Sequence, residues 1–275
     1  MADLGGHARK IADGAEEAAD SKAFETAARL GFAANGLMHL VIGFIAVGIA
    51  MGGSGSADQS GAMGQLAAQP GGIFLLWFGF LGCVALALFQ LSEAAFAWNG
   101  RESKEKWGRK LKAIGQAIAY AAIGVTFGIY ALGGSTDSGQ TTSTFTSTLM
   151  TNPAGAVLLI VLGAAVIGIG GYYVYKGAKR KFLEDLQRVP GRPWGTAVKV
   201  VGAVGYCAKG VALAVLGLLF IVATVRADPE DSTGLDGALK SLQEQPFGAL
   251  VLGVIAVGLI AYGIYSIVRA PLEKM

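Results

Sequence analysis

Apolar residues run almost without interruption through six stretches, 29–51, 73–97, 113–133, 154–175, 200–225 and 247–268. Between them lie segments rich in charge, glycine and hydroxyl side chains. At about 1.5 Å of rise per residue, each run is long enough to carry a helix across a hydrocarbon core of about 30 Å. None shows the two-residue alternation of a barrel strand, and a helix satisfies every backbone group within its own segment, as lipid requires. The pattern therefore predicts an all-α integral membrane fold with six transmembrane helices.

The punctuation between the runs repeats. Pro70, Pro153 and Pro246 each open an even-numbered span, each after an amide residue (Gln69, Asn152, Gln245). Two residues on stands a glycine in every copy (Gly72, Gly155, Gly248), and four residues before stands a leucine (Leu66, Leu149, Leu242). Nineteen residues after each proline comes an aromatic (Phe89, Tyr172, Tyr265), and twenty-three after it a charge (Glu93, Lys176, Arg269). Such coincidences define three tandem two-helix repeats. The amide reads as an N-cap with proline in the first helical turn. The leucine reads as the anchor of a short interfacial helix, clearest over 235–245. The odd spans align through Gly43, Gly124 and Gly217, and eight residues earlier each copy is polar: Asn35, Gln116 and Lys209. One turn further come His39, Tyr120 and Leu213.

Two spans per repeat keep every copy in one orientation, so a symmetry axis would run along the membrane normal. The expected architecture is three helical hairpins related by a pseudo-threefold axis. Repeat one covers 29–100, repeat two 113–176 and repeat three 200–270. Basic loops at 101–112 and 177–199 separate them, an N-terminal segment covers 1–28 and a tail covers 271–275. Within the first segment, 11–28 reads either as a weakly amphipathic surface helix or as a frayed tail, and no cleavable signal pattern is present.

Charge orients this plan. Nineteen of the 22 lysines and arginines lie in the N-terminal segment, the two basic loops, the tail and the adjoining span ends. Only Arg226 and Lys240 lie on the other side, and Lys209 lies within a span. The positive-inside rule places both termini on the cytoplasmic side of a membrane that the chain crosses six times. The overall balance, +3 with 53% hydrophobic and 15% charged residues, excludes a soluble globule and gives no support to a nucleic-acid partner. Cys83 and Cys207 are too few for a disulfide framework.

The blocks Gly31-Phe32-Ala33-Ala34-Asn35-Gly36 and Gly205-Tyr206-Cys207-Ala208-Lys209-Gly210, with the Gln-Pro-x-Gly openings, resemble the repeat signature of the domain-of-unknown-function 1206 family. The resemblance runs from about residue 28 to 270 as three tandem copies. It implies a bacterial multi-spanning membrane protein with no established reaction, substrate or cofactor. The family's first block usually carries a basic residue where this chain has Asn35; Lys209 keeps it, and Gln116 departs from it.

The candidate chemistry is sparse. Asn35, His39, Gln116, Tyr120 and Lys209 form a candidate polar ring at one depth, facing either a central axis or the helix interfaces. Lys209 reads either as snorkelling to the interface or as a fixed charge in a cytoplasm-facing pocket, paired with Glu93. His39, the only intramembrane histidine, is expected to be a hydrogen-bonded imidazole rather than a proton relay, and alone it rules out a bis-histidine haem. Glu93, Lys176 and Arg269 are candidate cytoplasmic-end charges. The hydroxyl-rich run 141–148 reads as a linker, with a lid as the alternative, and 52–64 lacks the lysine of a phosphate loop. With no nucleophile–base pair, metal cluster or nucleotide motif, the sequence is read as that of a non-enzyme without cofactor or metal. The expected role is structural or accessory, in contact with the bilayer and with a membrane partner or bound lipid. The alternative is a small-solute or ion transporter or channel with a polar pathway near the pseudo-threefold axis.

Overall fold

A computed structural model describes residues 22–96, 103–187, 191, 194–229 and 232–272. Among the described residues the secondary structure is helical, without a strand. The spans are α1 (Lys22–Ala50), α3 (Gly72–Phe96), α4 (Ser103–Ala131), α6 (Pro153–Ala178), α7 (Trp194–Arg226) and α9 (Gly248–Arg269). Three shorter helices, α2 (Gln59–Ala67), α5 (Ser138–Met150) and α8 (Gly234–Gln243), precede the even spans, and a 3-10 helix (Lys181–Asp185) follows α6. All six long helices have the length and composition to cross a membrane.

Several boundaries differ from the sequence reading. Much of the first basic loop is helical and forms the opening turns of α4, and α7 begins at Trp194. The run 141–148, expected to be a linker, lies inside α5. There Asp137 caps the helix through Gln140 N at 2.9 Å, while Thr142 and Thr148 return their hydroxyls to Ser138 O and Thr144 O. Uncharged hydroxyl residues are compatible with a helix when their side chains bond back one turn. Of the stretch 11–28, residues 11–21 lie outside the described set and the remainder is the start of α1.

The repeat signature has a backbone cause. A Cβ on Gly72, Gly155 or Gly248 would collide with the carbonyl oxygen of Leu66, Leu149 or Leu242 respectively. The chain thus doubles back so tightly that only glycine fits opposite the last turn of the short helix. The expected amide cap holds for Asn152 alone, whose Oδ1 accepts from Gly155 N at 2.8 Å with Pro153 in the first turn. In the other two copies the helix starts two residues after the proline. There the backbone carbonyls of Gln69 and Gln245 accept from Gly72 N and Gly248 N at 2.9 and 2.7 Å.

Among the described residues, those within 1–30 and 66–136 form one compact unit and those within 31–65 and 137–275 form a second. In the first, α3 packs on α4. Gly124 faces Cys83, and Gly128 faces the Phe80 ring. In the second, α6 packs on α7, α7 on α9, and α9 on α1. A Cβ on Gly217 would lie 2.5 Å from Gly163 O, one on Gly210 2.5 Å from Gly170 O, and one on Gly36 2.7 Å from Gly263 O. These approaches bring backbone against backbone, the close packing that small residues allow between helices in lipid.

Three of these contacts are one contact repeated. Gly43, Gly124 and Gly217 each face the residues ten and fourteen positions after a repeat proline: Ala256 and Ile260, Phe80 and Val84, and Gly163 and Ile167. In every case the partner is the second span of the preceding repeat, and for repeat one that is the second span of repeat three. Within repeat three the two spans also meet, with Gly205 against Tyr262 and Gly258 against Ala208.

At the end of the second unit that holds the short helices, Asp58 Oδ1 accepts from Gly61 N at 2.9 Å, and Asp236 accepts from Ala57 N at 2.8 Å and from Lys240 Nζ at 2.6 Å. The hydroxyls of Ser60 and Ser138 share a hydrogen bond. Burial of Asp58, reinforced by the negative charges of Asp236 and Asp137, raises its pKa above the ordinary aspartate value.

Candidate functional site

The most concentrated chemistry lies in the second unit, where α6 and α9 finish and α7 begins. Helical spacing sets it up. Tyr173 and Lys176 lie three apart on α6, Tyr206 and Lys209 three apart on α7, and Tyr262, Tyr265, Ser266 and Arg269 share one face of α9. On α1, Phe32, Asn35 and His39 also share a face. After α6, Arg180 takes a left-handed conformation (φ 55°) that turns the chain into the 3-10 helix. That helix contributes Phe182 and Asp185. A bond from Gln187 N to Leu272 O at 2.7 Å ties the following segment to the end of α9.

Tyr206, 2% exposed, is the centre. Its ring stacks on Phe182 (5.2 Å between centroids, 9° between planes) and on Tyr173 (5.6 Å, 21°). The rings of Tyr262 and Tyr265 meet it edge-on at 5.3 and 5.5 Å. Each such pair contributes about 1 kcal/mol beyond burial. Glycine makes room: a Cβ on Gly202 would lie 2.5 Å from the Phe182 ring, and one on Gly205 2.5 Å from the Tyr262 backbone. Tyr265 OH donates to Phe182 O at 3.2 Å.

Cations surround the rings. Arg269 donates to Tyr206 OH at 2.7 Å, reaches Asp185 at 3.4 Å, and lies 4.8 Å from the Phe32 ring centroid. Lys176 pairs with Asp185 at 2.6 Å and lies 5.5 Å from the Tyr206 centroid. Lys209 Nζ sits 4.1 Å from the Tyr262 centroid and 5.3 Å from that of Tyr173. A desolvated cation over an aromatic face gains roughly 1 to 2 kcal/mol. His39 Nδ1 donates to Asn35 O at 2.8 Å, and its ring lies 4.7 Å from that of Tyr262. The Tyr262 hydroxyl lies beside the side chains of Ser266 and Asn35.

The predicted site residues thus separate into groups. Asn35, His39 and Lys209 gather about Tyr262. Lys176 and Arg269 converge on Asp185. Gln116 belongs to the first unit, where its Oε1 accepts from Gln90 Nε2 at 2.6 Å, and Tyr120 lies half-buried one turn further along α4. The Glu93 side chain lies outside the described residues. Sequence reasoning singled out none of Tyr173, Tyr206, Tyr262, Phe182, Asp185 and Gln90 as site residues.

One pattern connects the copies. Two of the three charged residues twenty-three positions after a proline meet the following repeat three residues before its ring position: Arg269 over Phe32, and Lys176 over Tyr206. In the remaining copy those positions are Glu93 and the buried Ala113. Twenty positions after the proline stand Gln90, Tyr173 and Ser266; Gln90 meets Gln116 and Tyr173 meets Lys209. Where the third repeat sets a cation against an aromatic ring, the second sets an amide against an amide. The ring residues whose partners are described therefore point into helix interfaces.

Comparison with known proteins agrees with the repeat. An uncharacterized protein of Bacillus subtilis (strain 168), YxxB, is 28% identical over 254 residues, covering 90% of both chains. No solved structure matches. The Domain of Unknown Function family DUF1206 matches residues 30–97, 111–180 and 204–272, and with three copies filling most of its length the chain belongs to that family.

Proposed function

We propose that the protein is a non-enzymatic accessory component of the bacterial inner membrane, holding a membrane partner or lipid, with both termini in the cytoplasm. One observation carries this reading: the polar ring side chains whose partners are described are met by protein groups. Gln116 bonds Gln90, His39 bonds the Asn35 carbonyl, and Lys209 lies against two tyrosine rings. A transport pathway needs polar groups left facing water, whereas a scaffold needs them to fix helix pairing. The threefold recurrence of the Gly43, Gly124 and Gly217 contacts supports a pseudo-threefold relation among the repeats. The charge distribution supports the cytoplasmic termini.

The test is extraction from native membranes followed by flux measurement in liposomes. The accessory reading expects a defined membrane protein or lipid to co-purify, and no solute flux above that of protein-free vesicles. Flux that disappears in Lys209→Ala would overturn it in favour of a transporter or channel. One feature favours that second reading: Lys209 remains partly exposed and has no carboxylate partner among the described residues.

A further inference from the structure

We propose that the exposed end of α6, formed by Tyr172, Tyr175, Lys179 and Lys181, docks the headgroup of an anionic phospholipid. This deepens the accessory reading, on which it rests, by naming the chemistry of a bound lipid. α6 has the length and composition to cross a membrane. One exposed stripe runs along it at alternating steps of four and three: Val161, Ala165, Gly168, Tyr172, Tyr175 and Lys179. Such spacing keeps all six on one side of the helix. The stripe is thus apolar through the span, aromatic toward its end and cationic where the helix stops. A phospholipid presents the matching order, from acyl chain through glycerol to phosphate. Tyrosine suits the middle of that order because its ring packs on hydrocarbon while its hydroxyl stays wet.

The charged end is built rather than loose. Arg180 holds its left-handed conformation (φ 55°) in a turn closed by hydrogen bonds from Lys179 N to Tyr175 O, Arg180 N to Gly177 O and Leu183 N to Arg180 O. Phe182, fully buried, pins that turn to the aromatic core. A strained residue kept in place by its surroundings marks a backbone made to present something. Here it presents Lys179, Arg180 and Lys181, all exposed. Lys181 then folds back along α6, its Nζ 5.3 Å from the Tyr175 ring centroid, so a cation from beyond the helix stands beside the stripe. Glu184 also attracts Lys181, yet residues 179–184 carry three cations to that one acid. Clustered lysine and arginine at the end of a membrane span is the pattern that recognises anionic headgroups. The repeat supplies a contrast. Nineteen residues after the proline, Tyr265 is 1% exposed and packs on Phe182 and Tyr206, whereas Tyr172 is 56% exposed. The second repeat thus leaves exposed an aromatic that the third uses internally.

The experiment titrates phosphatidylglycerol and phosphatidylcholine against full-length protein in a neutral detergent and follows bound lipid by native mass spectrometry. Wild type is compared with Lys179→Gln/Lys181→Gln, Lys179→Arg/Lys181→Arg and Tyr175→Leu. A fourth variant, Lys104→Gln/Lys106→Gln, removes the same charge from the first basic loop. Wild type should prefer phosphatidylglycerol. Lys179→Gln/Lys181→Gln should bind it roughly thirtyfold more weakly, about fivefold for each surface cation lost. The arginine pair and Lys104→Gln/Lys106→Gln should hold it as wild type does, and Tyr175→Leu, which releases Lys181, should fall between. Equal weakening by the two glutamine pairs would reveal a general attraction to basic segments and overturn the site, as would no preference for phosphatidylglycerol in wild type. If Lys179→Gln/Lys181→Gln does not fold, the loss in Tyr175→Leu against an unchanged Lys104→Gln/Lys106→Gln decides. Solute flux in liposomes would overturn the accessory reading whichever lipid is held, whereas indifference to phosphatidylglycerol would sink the lipid site alone.

Discussion

Tyr206 and Asp185 show how much of the site depends on single groups. Tyr206→Phe keeps every ring contact and removes the oxygen that accepts from Arg269, so unfolding free energy should fall by about 1 kcal/mol. Asp185→Asn leaves Lys176 and Arg269 without their carboxylate and should cost more, about 2 kcal/mol, because both cations are mostly buried. Thermal unfolding in a constant detergent ranks the two variants; equal losses would show that Asp185 is screened. At the opposite end Asp58 supplies a pH dependence. Its folded-state pKa is raised by burial, so the folded protein holds the proton more tightly than the unfolded chain. Its contribution is therefore most favourable below the ordinary aspartate value and is lost as pH rises through the raised folded value. Asp58→Asn keeps an acceptor for Gly61 N and removes this loss. The stability difference between variant and wild type should grow in the variant's favour across that window, then level off. A difference independent of pH would mean that Asp58 does not titrate differently on folding.

Pairs of helices depend on glycine in a position-specific way. Gly170 and Gly171 are neighbours on α6, yet an added Cβ at Gly170 would meet Gly210 O at 2.6 Å, while at Gly171 it would meet nothing within 4 Å. Gly170→Ala should lower the thermal midpoint, at a cost of about 2 kcal/mol, because a backbone carbonyl has nowhere to retreat. Gly171→Ala should be neutral or raise stability by up to about 1 kcal/mol through helix propensity. Identical effects would mean that the α6–α7 approach is looser than described. The glycines were visible in the sequence, but their division into contact and non-contact positions was not, since it depends on which neighbour each face meets. The same limit hid Tyr173 and Ser266. Their position, twenty residues after the proline, carries Gln, Tyr and Ser in the three copies, and a position recognised by identity alone looks unconserved.

Across the whole chain, the contact between the first and last spans offers a direct check. The place of a Cβ on Gly263 lies 2.8 Å from Leu40 Cγ, so cysteines at Leu40 and Gly263 fall within reach of a disulfide. Oxidation of that double variant in a background with Cys83 and Cys207 changed to serine should link them within one chain. Proteolysis between the spans should then leave two fragments joined until reduction, and fragments that separate without reductant would overturn the α1–α9 pairing.

What the sequence determined by itself was local or periodic: six apolar runs, the Leu–Pro–Gly punctuation, and the asymmetry of basic residues. Lipid enforces the first by demanding internal hydrogen bonding, and the second follows from a turn so tight that a Cβ would strike the leucine carbonyl four residues before the proline. The tertiary structure decided which spans embrace. A glycine stripe suits any close neighbour, and only the fit of Gly217 into Gly163 and Ile167, or of Gly43 into Ala256 and Ile260, selects one. It also decided which charges are answered. Lys176 and Arg269 share Asp185 from a segment that reads as loop, while Lys209 faces tyrosine rings from two other helices. A charge's partner is set by three-dimensional proximity, and no spacing along the chain encodes it.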